Sequence, residues 1–475
     1  MWMFAVRWVM RILSIINIAI LARLLDKNDF GLVALASAAI ALPAVLTDLG
    51  VENAIICERQ PSRGYYNTAW TIRAIQLTVA AFIIFMASPW IADFYADLRI
   101  SRMLQVLSAM LLLKGAENIW TVSFRKALNF QRDFVYEASS KLLAVIFSIV
   151  LAFVWRSYWA LVYSQVAAAA VRVVISLMIA PEWPRLTVSH WRQIWSFSQW
   201  SLANGAATYV VQNGDRLILG RFVETGAVGA FTLGREIADM PLTEISMPAN
   251  RALGPGLSAL QDDTSRLVHA LTRSLAAVGT LAFPIGIGLA VTAPQVVPVF
   301  LGSGWEEAIP ILQLLSIAST MTAVRGVMGN TLAVIGHIRS SAIVMWIRAL
   351  LLVAAGIPAT ILAGARGMAG AFLFTEALAV CVTLLFYRQH LPLFRVNSLG
   401  QVLLRPLFST LVMAVLVAIA GQIPTGSLVL LLAVKVSVGA ITYITAMYLL
   451  WQRSGYPDGL ETLIVERLHL LRKAD

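Results

Sequence analysis

Charged residues inside long apolar segments are the candidate functional residues of this chain. Arg7 and Arg11 lie four residues apart in the first apolar segment, which places two positive charges on one helical face. Arg235 and Asp239 have the same spacing, and this spacing equally predicts an ion pair within one helix. A charge at membrane depth is costly and usually faces a water-filled cavity or a partner.

The deep charges are mainly cationic, and Arg and Lys bind phosphate oxygens through charge-assisted hydrogen bonds. The sequence therefore predicts a site for a phosphate-bearing substrate, with some of the charges acting as structural bridges instead. For Arg7 the alternative is a side chain that extends to the cytoplasmic surface. The predicted substrate-binding residues are Arg7, Arg11, Asp48, Arg216, Arg235, Arg325 and Arg348.

Asp215, in the run QNGDRLILGR, is the candidate coupling-ion residue. Neighbours in sequence do not face each other on a helix, so Arg216 is a poor partner for it. Asp215 is therefore predicted to take part either in proton or sodium coupling or in a bridge to another helix.

Motifs of catalytic chemistry are absent from the sequence. It contains no P-loop, no glycine-rich dinucleotide turn and no Ser/His/Asp arrangement. Its five histidines are scattered, and Cys57 and Cys381 are too few for a disulfide framework or a cysteine metal site. We expect a protein that is not an enzyme and holds no cofactor or metal.

The elements that position these charges are predicted to be membrane-spanning helices. Hydrophobic residues make up 59% of the 475-residue chain and charged residues 13%, with a mean hydropathy of +0.78. A spanning helix needs about 20 apolar residues, and about fourteen segments qualify. The predicted helices lie at 2–24, 30–56, 67–92, 101–123, 134–155, 157–180, 196–222, 226–250, 268–299, 307–335, 339–363, 366–387, 402–422 and 427–451.

The net charge of +11 comes largely from basic residues in short loops between apolar segments. This distribution is a topology signal, and it predicts that both termini are cytoplasmic. Binding of nucleic acid is not expected.

An internal repeat predicts two copies of a six-helix unit. LARLLDKNDFGLVALA at 21–36 matches LGRFVETGAVGAFTLG at 219–234, and LQVLS at 104–108 matches LQLLS at 312–316, which aligns Glu117 with Arg325. Because six is even, the copies keep one orientation and are related by a pseudo-two-fold axis along the membrane normal. The predicted domains are an N-terminal lobe at 1–180, a cytoplasmic linker at 181–195, a C-terminal lobe at 196–390, two extra helices at 400–452 and a cytoplasmic tail at 453–475.

Several longer motifs occur in a characteristic order. They are ARLLDKNDFGLVALA (22–36), TDLGVENAII (47–56), WALVYSQ (159–165), DRLILGRF (215–222), GAFTLGREIADMPL (229–242) and GWEEAIPILQLLSIAS (304–319). In these motifs the chain resembles the polysaccharide exporter family, the oligosaccharide-lipid flippases of the multidrug/oligosaccharidyl-lipid/polysaccharide superfamily. The resemblance covers residues 1 to about 450.

The resemblance implies two six-helix lobes across a V-shaped cleft in a bacterial inner membrane. Alternating access would move an undecaprenyl-diphosphate-linked oligosaccharide outward, and polysaccharide polymerase machinery is an implied partner. Positions matching the cleft are Arg7, Arg11, Asp48, Asp215 and Arg235.

Three alternatives stay open at this point. One of them, a non-transporting scaffold, would leave the buried charges unexplained. A multidrug extruder of the same superfamily would need acidic, aromatic-lined pockets for organic cations, which the cationic deep charges disfavour. A membrane polymerase or ligase would need room for an active site, and the predicted outside loops reach only about ten residues.

Overall fold

The computed structural model describes residues 2–47, 50–127, 130–180, 182–258, 260, 263–391, 393–394, 396–422 and 426–454. These residues form helices and connecting turns, with no strand among them. Within this part of the chain, nine helices are long and apolar enough to cross a membrane. The prediction of an all-α, multi-pass membrane protein is confirmed.

The described chain up to residue 180 holds eight α-helices and one short 3₁₀ turn. They are α1 (Trp2–Leu24), α2 (Lys27–Thr47), α3 (Val51–Cys57), α4 (Arg63–Tyr95), α5 (Leu98–Ala116), the 3₁₀ turn (Ile119–Thr121), α6 (Val122–Lys126), α7 (Phe130–Trp155) and α8 (Tyr158–Ile179). The later helices are α9 (Trp191–Phe222), α10 (Thr225–Ser258), α11 (Thr264–Phe300), α12 (Ala308–Val334), α13 (Ile338–His390), α14 (Val396–Ala420) and α15 (Leu428–Arg453).

Helix α13 is interrupted and consists of two arms. Ala363 has φ −140° and Gly364 has φ 57° with ψ −142°, a backbone conformation essentially restricted to glycine. The sequence predicted separate helices at 339–363 and 366–387, and the interruption falls between them. With α13 counted as two arms, the described helices of 19 residues or more number fourteen, as predicted.

Two predicted helices are shorter than expected. Helix α2 ends at Thr47, and α3 follows Gly50, whose φ of 60° is left-handed, so a single helix over 30–56 was wrong. Helix α5 ends at Ala116 rather than at 123. Beyond it, the Asn118 side chain accepts a hydrogen bond from the Trp120 amide at 3.0 Å and starts a separate 3₁₀ turn.

The chain divides into two compact units, Met1–Gly229 (unit 1) and Ala230–Asp475 (unit 2). In unit 1, α4 packs on α5, α7 on α8, and α2 on α9; in unit 2, α11 packs on α12 and α14, and α12 packs on α13. Unit 2 has an apolar core around Leu271, Val327 and Tyr387. The lobes predicted from the repeat, 1–180 and 196–390, stay a prediction.

A reciprocal contact within unit 1 joins two repeat-related glycines. A Cβ added at Gly31 would lie 1.7 Å from the Thr225 carbonyl oxygen, and one added at Gly229 would lie 2.0 Å from the Lys27 carbonyl oxygen. The repeat pairs Lys27 with Thr225 and Gly31 with Gly229, so each copy presents the same surface to the other. Glycine is required here because the two backbones touch.

Candidate functional site

Unit 2 contains a buried cluster of charges around Glu376, on the second arm of α13. Glu376 is fully buried, and Arg325 on α12 places its Nε 3.1 Å from Glu376 Oε2. Arg348, on the first arm of α13, donates from Nη2 to Oε1 of the same carboxylate. One carboxylate therefore joins three helical segments through two buried guanidinium groups.

Arg235 on α10 extends this cluster. Its Nε lies 3.5 Å from Asp239 Oδ2, so the pair expected from the four-residue spacing is present. Its guanidinium carbon lies 4.5 Å from the centroid of the Phe372 ring, within the range of a cation–π interaction. Ser319 on α12 donates a hydrogen bond to Asp239 Oδ1.

The cluster carries more positive than negative charge. Its three arginines face two carboxylates, which leaves one positive charge in excess among these five residues. Arg348 Nε is buried without a hydrogen-bond partner in the described part of the chain. At the other edge the Asp239 side chain is 42% exposed, so this edge is open. The arrangement could accept one further anionic group.

The same geometry separates the roles of the three predicted arginines. Arg325 and Arg348 both bind Glu376 in the fully buried centre, which favours structural bridging for them. The Arg235 side chain is similarly shielded, at 10% exposed, but its carboxylate partner Asp239 is 42% exposed, which favours Arg235 as the candidate ligand-binding member.

Unit 1 contains a second charge cluster, around the buried carboxylate of Glu117 at the end of α5. Arg73 on α4 and Arg172 on α8 place guanidinium nitrogens 3.2 Å and 3.4 Å from its two oxygens. Tyr136 on α7 donates its hydroxyl to the same carboxylate. Both arginines also have a second carboxylate: Arg73 lies 3.2 Å from Glu52, and Arg172 lies 3.1 Å from Glu137.

Each cluster contains an ion pair between the same two helices of its repeat copy, but the positions of the acid and the base are exchanged. In the order of the repeat, α5 and α12 are the fourth helices of their copies, and α8 and the second arm of α13 are the sixth. In unit 1 the fourth helix ends at Glu117 and the sixth carries Arg172; in unit 2 the fourth carries Arg325 and the sixth carries Glu376. The sequence alignment of Glu117 with Arg325 thus has a structural counterpart.

We expect Glu117→Gln to lower the free energy of unfolding by about 1–2 kcal/mol, in the lower part of the range for a lost partner of a buried polar group. The loss is limited because Arg73 and Arg172 keep Glu52 and Glu137 as partners. The measurement is the melting temperature of the purified protein in detergent. Glu224→Gln, an exposed change in the same unit, is the control, and an equal melting temperature for the two variants would contradict the expectation.

The other predicted site residues belong to unit 1. Arg11 on α1 and Arg216 on α9 are half-buried. Asp215 is fully buried, and its Oδ1 accepts a hydrogen bond from the Arg216 backbone amide at 2.7 Å. Arg7 lies in α1, but its side chain and all of Asp48 lie outside the described residues, as does most of the predicted tail.

Sequence reasoning missed Arg73, because it directly precedes the charge-free stretch 74–92 and so resembles a residue at a helix end. Helix α4 begins ten residues earlier, at Arg63, which places Arg73 about 15 Å along the helix. Phe372 and Ser319 were missed because no sequence signal identifies an aromatic ring or a hydroxyl as the neighbour of a distant charge. Across the described ranges, no group of three or more His, Cys, Asp or Glu side chains could hold a metal ion.

Fold and site together define a multi-pass, all-helical membrane protein with a charge cluster around a buried glutamate in each of its two units. A family model described as Polysaccharide biosynthesis protein matches residues 20–310. The chain belongs to this family, which confirms the resemblance seen in the sequence.

Two curated relatives have related sequences. The chain is 25% identical over 324 residues to the lipopolysaccharide biosynthesis protein WzxC of Escherichia coli (strain K12), covering 67% of this chain and 66% of the relative. It is 24% identical over 310 residues to the succinoglycan biosynthesis transport protein ExoT of Rhizobium meliloti (strain 1021), covering 64% and 62%. These alignments span slightly less than two thirds of the relatives' lengths.

Two solved structures share the fold. The lipid II flippase MurJ, in an inward closed conformation, matches with a TM-score of 0.80 at 11% identity, over 94% of this chain and 98% of MurJ. An inward-facing multidrug resistance MATE family transporter matches with a TM-score of 0.67 at 14% identity, over 81% and 95%. At these identities the likeness shows the fold alone. The relative ExoT is named as a transport protein, which agrees with the prediction that the chain is not an enzyme.

Proposed function

We propose that this protein is a flippase that moves an undecaprenyl-diphosphate-linked oligosaccharide across a bacterial inner membrane for polysaccharide export. The observation that carries the proposal is the excess positive charge of the unit 2 cluster, buried in a chain of the polysaccharide biosynthesis family. A diphosphate is the part of such a substrate that a buried guanidinium group recognises.

The names of similar proteins support the substrate class. WzxC is a lipopolysaccharide biosynthesis protein, ExoT a succinoglycan biosynthesis transport protein and MurJ a flippase for lipid II. In our proposal both termini are cytoplasmic and the protein works by alternating access. Polysaccharide polymerase machinery would receive the exported oligosaccharide.

Within the proposal, Arg235 of unit 2 binds the diphosphate, and Arg11 and Arg7 of unit 1 stay candidate substrate-binding residues. Asp48 and Arg216 stay candidate substrate-binding residues, and Asp215 is the proposed residue for coupling transport to proton or sodium movement. Arg235 is favoured because its carboxylate partner Asp239 is partly exposed, and Asp215 is favoured because an ionised carboxyl group is costly at its buried position.

The MATE-like fold makes a multidrug transporter the rival function. An organic cation would be repelled by a site with an excess positive charge, because like charges in a medium of low dielectric constant interact strongly. The unit 2 cluster therefore favours the anionic substrate.

The proposal is tested in a strain in which the gene is deleted and replaced by variants. Arg11→Ala and Arg235→Ala are each expected to reduce polysaccharide export at least about ten-fold, since a lost charge-assisted hydrogen bond costs about 1.5–3 kcal/mol. Exported polysaccharide is quantified against protein amounts in the membrane. Arg366→Ala, an exposed change on α13, is the control.

Wild-type export by both variants, at normal protein amounts, would show that the diphosphate assignment is wrong. If the deletion strain instead became sensitive to cationic drugs while its polysaccharide export stayed unchanged, the multidrug function would be the correct one.

A further inference from the structure

A pocket at the start of α11 lies outside both charge clusters. Its volume is about 480 Å³, and it is lined by Leu260, Ser265, Arg266, His269, Ala270 and Arg273. Half of this lining consists of two guanidinium groups and an imidazole. The transport mechanism proposed above makes no use of any of them.

The position of the pocket along α11 places it at the membrane surface. Arg273 is the last charged residue before a charge-free run over 274–305. Helix α11 has 37 residues, or about 55 Å at 1.5 Å per residue, whereas the hydrocarbon core is about 30 Å thick. The first ten residues of the helix, 264–273, therefore lie at the depth of the lipid headgroups.

The basic side chains of the pocket share one face of α11. Arg266, His269 and Arg273 follow a spacing of three and then four residues, which aligns them along the helix. Arg266 is exposed, and its Nε lies 3.3 Å from Asp263 Oδ2, a pair that water screens. In the described part of the chain, His269 and Arg273 have no ion-pair partner. The face thus keeps a net positive charge.

The pocket also has an apolar part. Leu260 and Ala270 line it beside the cations, and Ser265 supplies a hydroxyl. A phospholipid headgroup presents the matching combination: a phosphate diester, polar glycerol oxygens and the apolar beginning of two acyl chains. Basic pockets at the cytoplasmic ends of membrane helices bind anionic lipid headgroups in this way.

We propose that this pocket is a binding site for an anionic membrane phospholipid, with Arg266 and Arg273 binding its phosphate and Leu260 and Ala270 contacting the upper acyl chains. The site is separate from the proposed transport site, so the proposal stands whether or not the chain is a flippase. A bound lipid would anchor the start of α11 to the membrane surface.

The test uses purified full-length protein in a neutral detergent, with bound lipid counted by native mass spectrometry. Phosphatidylglycerol and phosphatidylcholine with the same acyl chains are titrated separately. The wild type is expected to bind phosphatidylglycerol at least about five-fold more tightly. Arg266→Gln combined with Arg273→Gln should weaken that binding roughly 25-fold, at about five-fold for each arginine. Arg339→Gln combined with Arg366→Gln, two exposed arginines on α13, should leave it unchanged.

A third arm separates a lipid from a soluble phosphate. Glycerol 3-phosphate at millimolar concentration should not displace phosphatidylglycerol; displacement would show a site for a soluble phosphate and overturn the lipid assignment. Equal binding of the two lipids by the wild type, or unchanged phosphatidylglycerol binding by the Arg266/Arg273 variant, would also overturn it. Melting temperatures of all variants establish that each is folded.

Discussion

Replacing Glu376 with glutamine is expected to lower the free energy of unfolding by about 3–5 kcal/mol, the largest stability effect that we expect in this protein. The reason is that Glu376 is the carboxylate bound by both Arg325 and Arg348, and no second carboxylate contacts either of them in the described chain. The variant therefore leaves two positive charges buried without compensation. The melting temperature and the yield of the purified protein measure the loss.

Double variants that restore the charge balance separate the effect of uncompensated charge from the effect of altered packing. Glu376→Gln combined with Arg348→Met removes one buried cation together with the carboxylate and should recover part of the lost stability. Exchanging the partners, Arg325→Glu with Glu376→Arg, should be more stable than either single change, because it restores an ion pair between positions 325 and 376, whereas each single change places two like charges there. If the double variants melt no higher than the single ones, charge pairing does not hold these segments together.

Glu117 differs from Glu376 in the number of carboxylates that remain near its arginines after a substitution. Glu117 also binds two arginines, yet Arg73 and Arg172 each reach a further carboxylate. Both glutamates bind two arginines, but the two substitutions are therefore expected to lower the free energy of unfolding by different amounts. What decides the size of the effect is how many negative groups remain after the substitution.

The second large effect is expected at the contact between repeat-related glycines. Gly31→Ala should destabilise the protein by about 3 kcal/mol, at the upper end for overpacking, because the new methyl group would lie 1.7 Å from a backbone oxygen of Thr225. A backbone oxygen cannot rotate away as a flexible side chain does, so the helix itself must move. Gly229→Ala should behave similarly, since its methyl group would lie 2.0 Å from the Lys27 carbonyl oxygen.

Gly329→Ala is the matched control for both glycine variants. Gly329 lies within α12, and a Cβ there meets no atom within 4 Å. Because alanine is the better helix former by about 1 kcal/mol, this change should be neutral or slightly stabilising. Melting temperatures of the three variants would contradict the argument if Gly31→Ala and Gly329→Ala were equal.

The helices could be predicted from the sequence because the bilayer imposes their length and composition. The interruption near Gly364 was predictable for the same reason: the apolar run was too long for one crossing, and a glycine stood at its centre. The break between α2 and α3 was not, because the left-handed backbone of Gly50 lies inside an otherwise continuous helical pattern.

The charge clusters were predictable in part. The sequence identified Arg235, Arg325 and Arg348 as residues inside apolar segments, and all three are buried. It identified the partner of Arg235 as well, because Asp239 is one helical turn away. It could not pair Arg325 with Glu376, which is 51 residues distant, since that contact depends on how three helical segments pack.

The exchanged signs of the two bridges bear on how the chain assembles during insertion. Equivalent helices of duplicated halves resemble each other, so a newly inserted helix could dock onto the wrong half. If α5 met the second arm of α13, Glu117 would approach Glu376, and if α12 met α8, Arg325 would approach Arg172. Both wrong dockings bring like charges together in a medium of low dielectric constant, where repulsion is strong. We therefore expect the inverted charges to disfavour the docking of a helix onto the wrong half.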